Sequence, residues 1–287
     1  MRDVAIVVTT FKRPARLSNL LGNMHWSGLP DVPLYVFEDP TPTERRESIT
    51  KGFEEVCKEY QVPLKTAPEW GCMHGIVQYA MENTYEPWVI YVPDDVLFTK
   101  GALWNMYSSV LAYGRWFVGG LQMPYWNADE LNKKGLMPQK DCMFEGWIPR
   151  GIPNNPHWDN EGIPRVYVNL NGAGFAINRN LWMKMGGWPS QTWRLDEYAG
   201  YKAWMHGMVV LTIPGPPAVH YFGGATHDMP SEKPDFSSVP AWKEATGVTP
   251  EEAGHACREK MARIPSRDGG DSTINDVLAF FNSGGVL

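Results

Sequence analysis

Trp88–Val92 reads WVIYV and runs straight into Pro93-Asp94-Asp95, so an apolar run ends in two adjacent carboxylates. Five apolar residues with no polar interruption suit a strand covered on both faces, as in a parallel sheet. Toward the N-terminus, Val4–Thr10 (VAIVVTT) has the same continuous character, and Lys12-Arg13-Pro14 breaks it. Ala15–Met24 then carries Leu17, Leu20, Leu21 and Met24 at helical spacing. Leu34–Phe37 predicts a second strand, ending in Glu38-Asp39-Pro40, and Thr43–Tyr60 a polar helix with Ile49, Phe53, Val56 and Tyr60 inward. Pro63–Thr66 predicts a third, short strand and Gly71–Asn83 another helix. This alternation implies a doubly wound α/β domain with a mostly parallel sheet, whose ligands sit beyond the carboxyl ends of the strands. Three such ends carry polar clusters: Thr9-Thr10 with Arg13, Glu38-Asp39, and Asp94-Asp95.

The second half is less regular. Gly101–Ala112 predicts a helix and Trp116–Gln122 a strand. Pro124–Pro164, rich in Pro, Gly, Asn and Trp, reads as a long functional loop region. Val166–Asn178 (VYVNLNGAGFAIN) reads as one strand-like run with a Gly-rich centre, and Leu181–Met185 starts a helix that ends at Gly186-Gly187. Asp196–His206 predicts a helix and Met208–Ile213 a strand; beyond His220, helices are predicted over Pro250–Arg263 and Ile274–Phe281.

Composition narrows the function classes. The 287 residues suffice for one large α/β domain, or for one with a modest appendage. A net charge of −6 speaks against a general polyanion binder, because phosphate backbones are held mainly by Lys and Arg. Between Leu131 and Lys184, seven basic residues face four acidic ones, which makes that stretch +3 and the remainder −9. It reads as a solvated face, or as a small basic surface toward an anionic ligand. The four cysteines are scattered and form no C-x-x-C pair, which suits a reducing compartment better than a disulfide framework or a zinc site. With no run of about 18 apolar residues and a first strand beginning at Val4, the expectation is a cytoplasmic protein.

Asp94-Asp95 carries the chemistry. Two neighbouring carboxylates beside a core repel one another and are costly to keep ionised, and a bound divalent cation removes that cost. Oxygen ligands favour Mg²⁺ or Mn²⁺ bridged to substrate phosphates. The bland alternative is an Asp pair that caps the helix near Gly101 or lies solvated in a loop. His220 follows the Met208–Ile213 strand and a Pro-rich turn, and is a further ligand candidate or simply a structural histidine. His227-Asp228 lies nearby as a decoy or a supporting pair. Asp196-Glu197 opens a helix, where either carboxylate could serve the N-terminus; the functional reading is a general base for an acceptor hydroxyl. Nine of the thirteen tryptophans fall between Trp104 and Trp204. Trp126, Trp147 and Trp158 are the candidates for flat contacts to an acceptor, whereas Trp104, Trp182 and Trp204 sit at core spacing.

Seven segments, VAIVVTTFKRP (Val4–Pro14), YVFEDPTP (Tyr35–Pro42), VIYVPDDVL (Val89–Leu97), NGAGFAINR (Asn171–Arg179), MGGW (Met185–Trp188), DEYAGYK (Asp196–Lys202) and Val219-His220, recur in order. In that order and approximate spacing the chain resembles the GT-A glycosyltransferases, with its closest likeness to the inverting group called family 2. The resemblance spans residues 1 to about 224. It implies a Rossmann-like, mostly parallel sheet flanked by helices, with a smaller acceptor-side subregion. Residues 1–100 would be the nucleotide half, 101–224 the acceptor half, and 225–287 an extension matching no motif. It further implies that Thr10 and Arg13 line the nucleotide pocket and that Glu38 or Asp39 binds the base or ribose. Asp94-Asp95 would be the DxD motif, with Asp95 the direct metal ligand and His220 an additional metal or phosphate ligand. Gly172-Ala173-Gly174 would let the backbone approach the donor sugar. Asp196 or Glu197 would be the base. Pro93 stands where an Asp-Asp-Asp run has its first Asp, and Leu195 where a Glu is usual.

The implied reaction is transfer from a nucleotide diphosphate-sugar, such as a UDP-sugar, to a hydroxyl acceptor, with Mn²⁺ or Mg²⁺ and with inversion. A glycan, a lipid-linked sugar, a small metabolite, a protein side chain or a hydroxymethylated nucleic-acid base would each offer a hydroxyl, although the acidity opposes extended duplex binding. Three other readings remain. A nucleotidyltransferase would need a Gly-rich basic loop after the first strand, and Thr9–Arg13 has no glycine. A silent sugar-binding protein would not need Asp94-Asp95, His220 and Asp196. A metal-dependent hydrolase could be built on His220, His227 and Asp228.

Overall fold

The computed structural model describes residues 3–41, 44–69, 71–114, 117–127, 133, 162–170, 174–187, 195–220, 239–266 and 269–287. Strand β1 (Val4–Thr10) is buried at every position, as its unbroken apolar sequence demands. It lies between β2 (Leu34–Glu38) and β4 (Trp88–Pro93) and is parallel to both, while β3 (Leu64–Thr66) extends the sheet beyond β2. The chain therefore winds outward through β1, β2 and β3, then returns to the other side of β1 for β4. The crevice between the ends of β1 and β4 is the point where the winding reverses, and in open α/β sheets ligands bind there.

The full order of the eight-stranded sheet is β3-β2-β1-β4-β9-β6-β10-β8. The right-hand part holds β6 (Val118–Gln122), β8 (Arg165–Tyr167), β9 (Phe175–Asn178) and β10 (Val209–Thr212). Strand β9 is antiparallel to both β4 and β6, and β8 is antiparallel to β10. The single run expected over Val166–Asn178 is thus two strands at different places in the sheet. Strand β8 ends at Tyr167, Gly174 has φ 136° just before β9, and Leu170 packs against Gly120 of β6. A second, three-stranded sheet joins β5 (Val96–Phe98), β11 (Ala218–His220) and β7 (Tyr125–Asn127) in the order β5-β11-β7.

Helices α1 (Pro14–Gly28), α2 (Arg46–Glu59) and α4 (Ala102–Tyr113) cover one face of the large sheet. Helices α3 (Cys72–Glu82), α5 (Arg179–Lys184) and α6 (Leu195–Met205) cover the other. Trp182 of α5 and Trp204 of α6 are fully buried, as their spacing predicts. Trp104 is a correction: it is 54% exposed, because α4 turns Leu103, Met106 and Val110 inward and Trp104 falls off that stripe. Strand β6 carries a bulge at Gly119, where a Cβ would lie 2.7 Å from that of Ala203 in α6.

The C-terminal helices follow the expected positions, α8 over Pro250–Met261 and α9 over Ile274–Asn282, with α7 (Val239–Thr246) an addition. They pack on the body of the molecule. Trp242 is buried edge-on to Tyr198 of α6, and Phe281 stacks on Phe117 ahead of β6. The Val166 amide donates to the Ser272 carbonyl, and that of Ile274 to the Pro164 carbonyl, so this segment covers the free edge of β8.

Candidate active site

The register Thr9↔Pro93 sets Thr10 beside Asp94. The Thr10 hydroxyl donates to Asp94 Oδ2 at 2.7 Å, and the Phe11 amide donates to the same oxygen at 3.4 Å. Burial lifts the Asp94 pKa to about 6; the Thr10 hydrogen bond opposes this, the charge of Asp95 adds to it, and the Phe11 amide and Arg16 partly offset it. Lys12 then turns through φ 60°, a left-handed value uncommon outside glycine, and Arg13 occupies the N-cap of α1. Arg16 was not anticipated. Its Nη1 is buried with no hydrogen-bond partner among the described residues, while its charge bears on Asp94. An arginine in the first turn of a helix reads in sequence as ordinary surface, so only the fold identifies it.

Asp95 and His220 meet through the small sheet. Strand β5 begins directly after Asp95, and antiparallel pairing sets His220 opposite Val96. His220 Nε2 lies 3.5 Å from Asp95 Oδ1, with the two side chains 15% and 19% exposed. That Oδ1 is buried and has no hydrogen-bond partner among the described residues. An orphaned carboxylate oxygen facing an imidazole nitrogen is costly unless something positive joins them. A divalent cation fits the pair. Among the described residues no cluster of three or more Asp, Glu, His or Cys could hold a metal. Among the described residues Asp95 and His220 would hold such an ion, with phosphate oxygens and water completing its oxygen-rich shell, the usual pattern for Mg²⁺-like ions.

Tyr91 connects these groups to Asp196. Its hydroxyl lies 3.1 Å from Thr9 Oγ1, and its ring meets Phe175 at 5.1 Å. Burial drives its pKa far up, opposed by the Thr9 contact, and the charges of Asp95, Asp94 and Asp196 add to the rise. All three aspartates thus bear on one buried hydroxyl, although Asp196 lies about a hundred residues from the others in sequence. Asp196 sits in the first turn of α6, where its Oδ1 accepts the Glu197 amide at 3.0 Å.

The neighbouring strand end separates Glu38 from Asp39. Glu38 is fully buried, and its two oxygens accept the hydroxyls of Thr50 and Thr66 at 2.7 and 2.8 Å. Asp39 accepts the Gly71 amide at 2.9 Å. Burial raises its pKa to about 7, opposed by that amide and reinforced by the charge of Glu38. Gly174 is placed with a Cβ position 3.7 Å from the Tyr91 carbonyl, so its positive φ, not crowding, is what favours glycine there. Trp126 contributes backbone to β7, in register with Val219, and its side chain lies outside the described residues. Gly172, Ala173, Trp147, Trp158, His227 and Asp228 also lie outside them.

No known protein family matches the sequence, and no curated protein does. Solved structures do. A mannosyltransferase, PcManGT from Pyrobaculum calidifontis, in complex with GDP-Man and Mn²⁺, superposes with a TM-score of 0.54 at 15% identity, covering 99% of this chain and 80% of that one. TarS 1–349 from S. aureus, in complex with UDP-GlcNAc, gives 0.60 at 10% identity, covering 91% of this chain and 72% of that one.

The chain has the GT-A fold.

GalNAc-T7 with UDP, GalNAc and Mn²⁺ shares it, with a TM-score of 0.59 at 12% identity; this chain spans about half of that one, 48%. Among the described residues no helix is long and apolar enough to cross a membrane.

Proposed function

We propose that the chain is a metal-dependent glycosyltransferase that moves a sugar from a nucleotide diphosphate-sugar to a hydroxyl acceptor with inversion, as the family 2 likeness implies. The observation that carries this reading is Asp95 Oδ1, buried without a hydrogen-bond partner among the described residues and 3.5 Å from His220 Nε2. It is a two-ligand seat that a phosphate-bound cation would complete. Thr10, Arg13 and Asp39 line the nucleotide side, and Arg16 adds a guanidinium Nη1 in need of an acceptor. Asp94, tied to Thr10, holds the β1 loop against the β4 end.

A bound cation supplies positive charge to the leaving diphosphate oxygens. The chain's own part is acid–base chemistry and positioning. Asp196 accepts the proton of the acceptor hydroxyl, that oxygen forms the new bond to the anomeric carbon, and the bond from that carbon to the diphosphate oxygen breaks with its electron pair leaving on the nucleoside diphosphate. Asp196 is taken as the base, with Glu197 as the alternative, as the family likeness implies. Thermal unfolding with UDP-GlcNAc and with GDP-mannose, each with and without Mn²⁺, tests the reading. Cation-linked stabilisation by at least one of them is expected, about 2.7 kcal/mol at a hundredfold excess over Kd. A melting curve indifferent to every combination refutes it.

A further inference from the structure

Beyond the diphosphate seat, the same face of the sheet carries a second set of unmet polar groups. Tyr91, Phe175, Gln122 and Thr212 lie opposite one another across β4, β9, β6 and β10, so their side chains share one face. The Tyr91–Phe175 ring contact confirms that shared direction. It is the face toward Leu170, which lies against Gly120 two residues before Gln122, and toward Asp196, whose charge bears on Tyr91. Gln122 and Thr212 stand side by side at the carboxyl ends of their strands and are 7% and 9% exposed. Gln122 Oε1 and Thr212 Oγ1 are both buried without a hydrogen-bond partner among the described residues. One such atom is an isolated defect. Two, on adjacent strands, facing one way and level with the end of the strands where ligands bind, form an arrangement with a purpose.

We propose that Gln122 and Thr212 form an acceptor-side saccharide subsite in which each hydrogen-bonds one of two neighbouring sugar hydroxyls. The inference rests on the glycosyltransferase reading for its place in the reaction, and on the row of side chains for its chemistry. An amide and an aliphatic hydroxyl can each donate and accept, as a sugar hydroxyl can. Neither carries charge, so the pair selects a neutral polyol over a phosphate or carboxylate, which would call for Arg or Lys. At about 4.8 Å per strand, Gln122 lies about 10 Å and Thr212 about 14 Å along the sheet from Tyr91. They lie on the side away from β1, Thr10 and Asp39, and hence away from the nucleotide. That displacement assigns them to the acceptor and not to the sugar being transferred.

The test uses the full chain and a double variant, Gln122→Met with Thr212→Val, which keeps the volume and removes the hydrogen bonds. Saturation-transfer NMR with the methyl glycosides of glucose, galactose, mannose and N-acetylglucosamine, in the presence of UDP or GDP and Mg²⁺, reads saccharide binding. At least one glycoside should bind the wild-type chain, and its signal should fall at least five-fold in the double variant while UDP or GDP affinity stays within two-fold. The double variant should also melt at a higher temperature, since two unmet buried groups are gone. Absence of glycoside binding to the wild-type chain, or equal binding to both, overturns the subsite. If instead UDP-GlcNAc or GDP-mannose weakens in the variant while UDP and GDP do not, the pair holds the donor's sugar and the acceptor assignment is wrong. Failure of UDP and GDP to bind at all overturns the glycosyltransferase reading, and is read separately from the saccharide signal.

Discussion

Replacing Asp39 by asparagine isolates the cost of one buried carboxyl at the nucleotide side. Asp39 is 3% exposed and its pKa lies at about 7, first through burial and then through the charge of Glu38, against an ordinary 3.8. Between those two values the folded chain keeps a proton that the unfolded chain has released. The group's stabilising contribution is therefore complete below about pH 4 and is lost as the pH rises through 7. At about 1.4 kcal/mol for each pH unit, the full loss approaches ~4 kcal/mol. Asparagine keeps the shape, and the oxygen that accepts the Gly71 amide at 2.9 Å, but it cannot ionise. Asp39→Asn should match the parent near pH 4 and exceed it by up to ~4 kcal/mol at pH 8, equivalent to roughly 5–10 °C in Tm for a chain of this size. Asp94, with a pKa of about 6, titrates in the same window but is present in both proteins, so the difference between them reports Asp39 alone. Urea unfolding at pH 4.5, 6 and 8 without ligand measures it. Parallel stability curves for the two proteins across that range would refute the reasoning.

Asp95→Asn should abolish the Mn²⁺-linked part of nucleotide-sugar binding and leave the cation-free part unchanged, as read by calorimetry with and without Mn²⁺. Asp196→Asn should slow sugar transfer by roughly 10²–10⁴-fold with donor affinity retained, and Glu197→Gln far less; an equal loss in both variants would move the base role away from Asp196. Gly119→Ala should destabilise the fold by about 1–3 kcal/mol, because the new methyl would meet Ala203 at 2.7 Å, and Ala203→Gly should restore most of the loss in a double variant.

The parts of this molecule that could be read from sequence are those where chemistry and chain order coincide. Val4–Thr10 and Trp88–Val92 announce themselves as covered strands, because unbroken apolar runs have no other stable place, and Asp94-Asp95 stands out because charge directly follows a core strand. Asp196 was a candidate from sequence, but the reach of its charge to Tyr91, shared with the other two aspartates, depends on how α6 packs against β6 and β10, which no local pattern encodes. Glu38 and Asp39 are indistinguishable as a dipeptide. Only the distant hydroxyls of Thr50 and Thr66 show that Glu38 is satisfied inside the protein. Gln122 and Thr212 become neighbours solely because β6 pairs with β10, and Arg16 becomes notable only once its buried Nη1 is seen to lack an acceptor among the described residues. The split of Val166–Asn178 into β8 and β9 was hidden for a related reason. Both pieces are apolar and extended, and only the pairing of β8 with β10 and of β9 with β4 and β6 separates them.

The packing of the last fifty residues sets a limit on synthesis. Phe117 finds its stacking partner in Phe281, and Val166 finds its hydrogen-bond acceptor in Ser272, so contacts at the β6–β8 side span more than a hundred positions of chain. A ribosome making this protein releases the β1–β4 half well before the residues that cover β8 exist, and that edge waits bare through the interval. The nascent chain is most prone to faulty association at this stage, and truncation after residue 238 would make the exposure permanent.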